Sequence, residues 1–315
     1  MSASPPQCPL CAHPVSEVFD ELPVADLVAE YRRQLGVEAG GGFPPGLRAL
    51  EMRRCTGCGL EFHHPPCPGN AAFYERLSGT PGYYAASRWE FGETLRHLPA
   101  EGLGGDVGCG DGRFLQRLPA GRERLGLEFN PAAVARATAA GLPVRQGGLE
   151  LLPPGSAAAV CLFQVLEHVT DPRGLLAGAA ATLRPGGLLA VAVPNNDDFL
   201  GRAMFQPLNA PPHHPLRWTR RALENVPALV PVRLEALFAE PLQPEHLFGQ
   251  RQERLARALT CLHGGRPWPR LHRSATTVTV RRIANALAGL WMRLAPAVPS
   301  PAPPGHSWLA LSRRA

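Results

Sequence analysis

Three glycines at alternate positions end a short apolar run in Asp106-Val-Gly-Cys-Gly-Asp-Gly112, and that segment excludes most folds for this chain. A strand that stops at Val107 and turns through Gly108, Gly110 and Gly112 lets the backbone come close to a ligand, because no Cβ stands in the way. The surrounding sequence alternates. Strand-like runs lie at about 103–107, 124–128, 142–146, 157–163 and 187–193, with helical patterns at about 112–118, 131–140 and 172–183. Strands separated by helices imply a parallel sheet covered on both faces, with ligands at the carboxyl ends of its strands. A helix starting near Gly112 would point free N–H groups and the positive end of its dipole at an anion. The dinucleotide fingerprint is not met, since Arg113 stands where its third glycine belongs.

Two C-x-x-C pairs, Cys8-Pro-Leu-Cys11 and Cys55-Thr-Gly-Cys58, are the second constraint. Two residues between thiolates form a tight knuckle that aims both sulfurs at one ion, and two knuckles complete the tetrahedron of a structural zinc. A redox C-x-x-C would open a helix in a βαβ unit, and neither pair is placed so. The expected ligands are Cys8, Cys11, Cys55 and Cys58; His63, His64 and Cys67 lie close behind as substitutes. The 43 residues between the knuckles hold an amphipathic helix at about Val24–Leu35, a Gly/Pro loop at 40–46 and a strand at about Leu47–Met52.

Residues 1–69 therefore read as a zinc-binding module closed by Pro65-Pro-Cys-Pro-Gly69. Residues 70–240 read as a ligand-binding core, led by helices near 71–78 and 84–98 and ending with a strand at about 232–238. Residues 241–315 read as a helical insertion followed by a last strand, 307–312, that completes the sheet. In the insertion, Leu255, Leu259 and Leu262 share one helical face, and Ile283, Leu287, Leu290, Trp291 and Leu294 share another. Such faces pack into a core, or lie on a membrane surface where Arg and Trp suit the interface.

Composition excludes several classes. No apolar run reaches the 18 residues of a membrane span, and the first residues carry neither a basic start nor an apolar stretch, so a cytoplasmic protein is expected. All 32 basic residues are arginine; without lysine there is no Schiff base and no P-loop. The net charge of +6 is spread in scattered doublets rather than a stripe, so no nucleic-acid partner is expected.

Asp106-Val-Gly-Cys-Gly-Asp-Gly112, Glu128, Phe163-Gln-Val-Leu-Glu-His-Val-Thr-Asp-Pro172 and Leu183-Arg-Pro-Gly-Gly187 resemble, in order and spacing, the motifs of class I S-adenosylmethionine-dependent methyltransferases, over about residues 100–312. The Val-Leu-Glu-His segment is similar to that of quinone-biosynthesis and general small-molecule methyltransferases. The four-cysteine module followed by Phe73-Tyr74 and Tyr83-Tyr84 is similar to bacterial methyltransferases with a zinc-binding leader. Some of those methylate carbon in nucleotide-linked deoxysugars, with a large further C-terminal domain that has no counterpart in these residues. The resemblance implies an α/β fold: a doubly wound, mostly parallel seven-stranded Rossmann-like methyltransferase sheet with an N-terminal zinc-ribbon-like module. It also implies S-adenosylmethionine and a structural Zn2+ as cofactors. In its terms Asp106 faces the methionine ammonium, and Gly108, Gly110 and Gly112 line the carboxylate and sugar. Glu128 holds the ribose, Gly148 and Leu149 lie near the adenine, and Gln164 lies beside the methionine.

Methyl transfer to a hydroxyl or carbon needs alignment and a base. The candidates are His168, which follows the run at 157–163, and His213 and His214, in Pro211-Pro-His-His-Pro-Leu-Arg-Trp218 after the run at 187–193. Arg217 and Trp218 would add a charge and a flat face for the acceptor, and Tyr83, Tyr84 and Trp89 would cover the cofactor. The expected function is methylation of a small-molecule acceptor that is sugar-, quinone- or lipid-linked. Peripheral membrane contact would serve a lipid-linked one. The alternatives are a zinc-ribbon RNA methyltransferase and a non-catalytic zinc-ribbon binding protein. The sequence carries no mark of oligomeric state.

Overall fold

The structure is a computed structural model and describes residues 6–80, 88–203, 206–262 and 274–315. The N-terminal segment folds as β1 (Ser16–Pro23), α1 (Val24–Leu35), β2 (Ala49–Cys55), β3 (Glu61–His64) and α2 (Ala71–Ser78). The central region follows as α3 (Trp89–Leu95), β4 (Leu103–Val107), β5 (Arg124–Glu128), α4 (Pro131–Ala139), β6 (Val144–Gln146), β7 (Ala157–Phe163), α5 (Pro172–Thr182) and β8 (Leu183–Pro194). Then come α6 (Phe199–Arg202), β9 (Leu216–Arg217), α7 (Arg220–Glu224), β10 (Val232–Pro241), α8 (Leu247–Leu262), α9 (Ala275–Leu294) and β11 (Pro304–Arg314).

Seven strands form one sheet in the order β10-β11-β8-β7-β4-β5-β6. Contacts between β8, β7, β4, β5 and β6 are parallel, and β11 runs antiparallel between β8 and β10. The expected mostly parallel seven-stranded sheet is therefore present. Its chain order reverses between β4 and β7, which opens a crevice at their carboxyl ends.

Alternation along the strands separates two cores. Val160 and Leu162 of β7, Leu189, Val191 and Val193 of β8 and Trp308 and Ala310 of β11 face one side. Ala159, Cys161 and Phe163, with Leu188, Ala190 and Ala192 and Leu309 and Leu311, face the other. α5 covers the first face with Leu176, Ala179 and Ala180; its start is set by Asp171, whose side chain accepts from Gly174 N at 2.8 Å, and by Pro172 at the first helical position. The second face is covered by Phe91, Phe114, Leu115 and Leu118.

The N-terminal segment does not stand apart from this core. A second, antiparallel sheet has the order β1-β2-β3-β9, pairing Glu61 with Arg217 and Phe62 with Leu216. Cys8, Leu10, Cys55, Cys58, Leu60 and Phe62 share one apolar cluster with Leu216 and Trp218.

Several expectations need correction. No α-helix forms at 112–118; the chain makes turns and a single 3-10 turn at Leu115–Arg117. Gly112 lies at φ +82°, outside helical space, and Leu118 before Pro119 is extended at ψ 141°, so neither end can carry a helix. The third central strand is shorter than 142–146, beginning at Val144, and β8 begins at Leu183 rather than 187. β1 was not expected. Of the helix expected at 84–98, the described part is Trp89–Leu95, and Tyr83 and Tyr84 lie outside the described residues. The apolar stripe of α9 does not pack. α8 and α9 meet through Ala256, Val280 and Ala284, while Ile283, Leu287, Leu290 and Leu294 are exposed, Leu294 by 77% and Leu262 of α8 by 82%. Small residues on the adjoining stripe allow the closer approach. No described helix is long and apolar enough to cross a membrane.

Candidate active site

The crevice at the ends of β4 and β7 opens into a cleft of about 1430 Å³. Apart from Gly112, every residue expected at the ligand site lines it: Asp106, Gly108, Gly110, Glu128, Gly148, Leu149 and Gln164 on one side, His168, His213 and His214 on another. Gly112 instead supports the loop from behind. At Gly108, φ is +72° and an added Cβ would meet Val165 Cγ2 at 2.7 Å; at Gly112 it would meet Leu142 Cδ1 at 2.4 Å. Both positions are closed to any side chain, and the loop keeps its backbone turned to the cleft.

Glu128 ends β5 and fixes this loop. Its carboxylate accepts from Gly110 N at 2.9 Å and from Asn130 N at 2.8 Å. Each oxygen keeps a second acceptor direction for the hydroxyls of a bound sugar. Asn130 caps α4 through Ala132 N at 3.0 Å. Asp106 is buried in β4, and burial, with Glu128 as a lesser cause, pushes its carboxyl up to about 8. A buried acid of that kind is matched to a cationic ligand. Beyond β6, Glu150 accepts from Gly148 N at 2.6 Å and stands on the cleft wall. Phe129, 70% exposed, offers a ring on the same wall.

Gln164 follows β7 with φ +57°, a left-handed conformation costly for a side-chain-bearing residue. Its amide donates to Glu90 Oε1 at 3.1 Å and Ser307 Oγ at 3.3 Å, which ties β7 to α3 and β11.

The three candidate histidines meet. One ring nitrogen or other ligand atom of each of His168, His213 and His214 lies within 4.8 Å of the others. The rings of His213 and His214 stack at 4.3 Å, and His168 meets them edge-on at 4.6 and 4.7 Å. Burial lowers all three, His168 to about 4, so the imidazoles are neutral near pH 7. Arg217 and Trp218 do not face an acceptor. Arg217 is buried, donating to Glu61 Oε2 at 3.0 Å and Gly201 O at 2.7 Å, and Trp218 is fully enclosed beneath the Cys module. The sequence signal also missed Glu167, Tyr74 and Glu90. Glu167 stood inside the recognised Val-Leu-Glu-His segment and could have been found there.

The cysteine quartet is not part of the cleft lining. Cys8 and Cys58 Sγ are 3.6 Å apart, Cys11 and Cys55 Sγ 3.5 Å, and all four lie within 4.8 Å of one another. A tetrahedron of Zn–S bonds of about 2.3 Å has sulfurs roughly 3.8 Å apart, so the quartet fits a structural zinc. The Cys58 side chain draws the Cys8 thiol down to about 5, against the opposing effect of burial. His63 is engaged with Pro215 O at 3.0 Å and takes no part in the quartet.

Residues 93–232 match the family model described as a methyltransferase domain. Over 99 residues the chain is 36% identical to a protein of Mycolicibacterium smegmatis named "Probable S-adenosylmethionine-dependent methyltransferase", covering 30% of this chain and 38% of the relative. Over 165 residues it is 30% identical to a Mycobacterium tuberculosis protein of the same descriptive name, covering 51% and 56%. It is also 39% identical over 100 residues to the trans-aconitate 2-methyltransferase of Deinococcus radiodurans, covering 30% and 38%. Residues 93–232 carry a methyltransferase domain, similar to that of proteins named as S-adenosylmethionine-dependent methyltransferases. The matches span 38% to 56% of these relatives' length. The matched residues hold the glycine loop and the three histidines, while Tyr74, Glu90, Glu240 and His306 of the cleft lining fall outside them and the cysteine quartet precedes them.

The cleft fits the cofactor that such domains use. A buried acid, a loop that admits no Cβ at Gly108, a carboxylate at the end of β5 and an exposed ring beside Gly148 are matched to an amino acid, a carboxylate and a nucleoside held in one line.

Proposed function

We propose that the chain is an S-adenosylmethionine-dependent methyltransferase acting on a small molecule, with a structural zinc at Cys8, Cys11, Cys55 and Cys58. One observation carries this reading: the Gly108–Gly110 loop and the histidine group face into the same cleft. Its volume of about 1430 Å³ exceeds the roughly 300–1,000 Å³ usual for a single ligand, which supports a cofactor and an acceptor side by side.

In this reading Asp106 takes the amino group, Gly108 and Gly110 border the carboxylate and sugar, and Glu128 takes the ribose hydroxyls. Gly148 and Leu149, with Phe129 and Glu150, border the base, and Gln164 borders the methionine chain. The bound cofactor supplies an electrophilic methyl group on sulfur. The protein aligns the acceptor and keeps water out. His213 and His214, with His168 beside them, border the acceptor and orient it or take its proton; neutral imidazoles suit that work.

The acceptor class we favour is sugar-, quinone- or lipid-linked. The exposed Ile283, Leu287, Leu290 and Leu294 of α9, with exposed Arg282 and Arg293, support a peripheral membrane contact that would bring a lipid-linked acceptor to the cleft. Isotopic methyl transfer to panels of such acceptors tests the reading. Methylation of one class with release of S-adenosylhomocysteine supports it, and methylation of structured RNA alone would replace it.

A further inference from the structure

We infer that Thr219 and Arg221 are positioning residues: through them the second cysteine knuckle, closed on its zinc, sets where His213 and His214 stand on the cleft wall. The use of those histidines in methyl transfer rests on the function proposed above, whereas their placement does not.

The knuckle Cys55-Thr-Gly-Cys58 is a closed turn. Cys58 N donates to Cys55 Sγ at 3.5 Å, and Gly59 N donates to Cys55 O at 2.9 Å. Its sulfurs meet those of Cys8 and Cys11, and its other carbonyls are taken by the segment that follows the histidine pair. Arg221 Nη2 donates to Thr56 O at 2.9 Å and to Gly57 O at 2.8 Å. Thr219 Oγ1 donates to Gly59 O at 3.0 Å and accepts from Ala222 N at 3.2 Å, so one hydroxyl holds the knuckle and caps α7. Gly59 has φ +81°, and a Cβ there would meet Arg221 Cδ at 3.0 Å, so the turn and the arginine are in direct contact.

A ladder runs from the knuckle to the histidines. Glu61 pairs with Arg217 and Phe62 with Leu216, and His63 N donates to Pro215 O at 3.1 Å. Residues 59–63 thus run antiparallel to 219–215 in one register, with Gly59 opposite Thr219 and His63 opposite Pro215. Farther on, Gly69 N donates to Pro212 O at 2.7 Å. His213 and His214 lie between Pro212 and Pro215, at the end of the ladder away from the cysteines. β9 is two residues long, too short to hold its place by pairing alone. The hydrogen bonds of Thr219 and Arg221 fix its knuckle end.

Those bonds need the turn to be closed. Four sulfurs within 4.8 Å of one another are held together by the ion they ligate, and a site of that kind is ordered by its metal. When the ion leaves, the Cys55–Gly59 turn relaxes, and the carbonyls of Thr56, Gly57 and Gly59 leave the geometry that Thr219 and Arg221 require. The ladder then frays from the knuckle end. Tyr31 still bonds Pro207 O and Ala210 O on the other flank, so the histidine segment shifts rather than detaches. The glycine loop and Glu128 make none of these bonds.

The test uses the full chain, zinc-loaded and chelator-stripped, without cofactor or acceptor, as wild type, as Thr219→Val/Arg221→Ala and as Thr219→Ser. Amide hydrogen exchange over 207–219 should quicken by about tenfold in stripped wild-type protein and comparably in the zinc-loaded double variant. Stripping the double variant should add little, because both changes break the same connection. Thr219→Ser keeps the hydroxyl and should exchange like wild type. The zinc content of the variants, and exchange in β4, β7 and β8, should stay as in zinc-loaded wild type, which separates a local shift from loss of the fold. The ring proton resonances of His213 and His214 should move wherever exchange quickens. Unchanged exchange over 207–219 in the zinc-loaded double variant overturns the proposal, and so do effects of stripping and substitution that simply add. Failure here leaves S-adenosylmethionine binding untouched, and a chain that shows this coupling but binds no S-adenosylmethionine would overturn the methyltransferase reading and keep the positioning.

Discussion

The hydroxyl of Tyr31, in the N-terminal segment, lies 3.4 Å from the backbone nitrogen of His213, in the methyltransferase domain. The same hydroxyl reaches Pro207 O and Ala210 O, so one buried side chain of α1 meets the chain at three points between Pro207 and His213. Tyr31→Phe removes the acceptor that His213 N faces and one of two donors to Pro207 O and Ala210 O, which keep Ala210 N and His214 N, at about 1 kcal/mol. The expected outcome is a lower unfolding midpoint in denaturant and slower turnover, with S-adenosylmethionine affinity unchanged because the contacts proposed for it lie on other residues of the cleft. A variant with normal turnover would show that the loop is held by other means.

Asp106 gives the cofactor site a pH dependence. Burial raises its carboxyl from the ordinary 3.8 to about 8, so the empty folded chain holds a proton that the unfolded chain has released. Stability of the cofactor-free protein should therefore fall as pH rises from about 4 to about 8. A cationic amino group needs the ionised acid, so affinity for S-adenosylmethionine should rise with pH, by up to about tenfold per unit below about 8, with proton uptake by buffer on binding. Calorimetry in two buffers of different ionisation enthalpy reads that proton. Asp106→Asn should bind weakly with no pH slope; an unchanged slope would place the titrating group elsewhere.

The cysteine quartet shares its apolar cluster with Leu216 and Trp218, which directly follow the histidine loop. Cys55→Ser should lose the thiolate-bound zinc, measured by elemental analysis, and lower the melting temperature of the whole chain rather than of a detached module. Full retention of the metal by that variant would count against the assignment.

Much of this was legible in the sequence, for local reasons. α1 begins and ends where the spacing of Leu27, Val28, Tyr31 and Leu35 predicts, and the paired C-x-x-C spacing carries the quartet. The glycine turn and the acid of β5 lie within a single strand-turn-strand unit. What was not legible depends on distant residues. β1 and β9 gain strand form from their partners β2 and β3, across gaps that no local pattern records. The helix expected after Gly112 fails because its first residue is left-handed and Pro119 follows too soon. Arg217 read as a charge for the acceptor, but its partner Glu61 lies 156 residues earlier. Glu167 and the histidines were visible one by one; only the fold brings segments near 167 and 213 together.

The histidine loop should matter for turnover and not for cofactor binding. His213→Ala/His214→Ala removes two neutral imidazoles from the side of the cleft proposed for the acceptor. Loss of a proton acceptor there slows methyl transfer by about 10²–10⁴-fold, measured with isotopic methyl groups and an identified acceptor. Unchanged turnover would move the role to His168.

The most direct measurement is a calorimetric titration of the purified chain with S-adenosylmethionine, with NAD as the comparison ligand and Glu128→Ala as the comparison protein. Glu128 holds Gly110 N and Asn130 N and, in the proposed reading, takes the ribose hydroxyls. Wild-type protein should bind one equivalent of S-adenosylmethionine with micromolar affinity and no NAD. Glu128→Ala should weaken that binding by about 10- to 150-fold, the equivalent of roughly 1.5–3 kcal/mol. Equal affinity in both proteins, or binding of NAD in place of S-adenosylmethionine, would contradict the account.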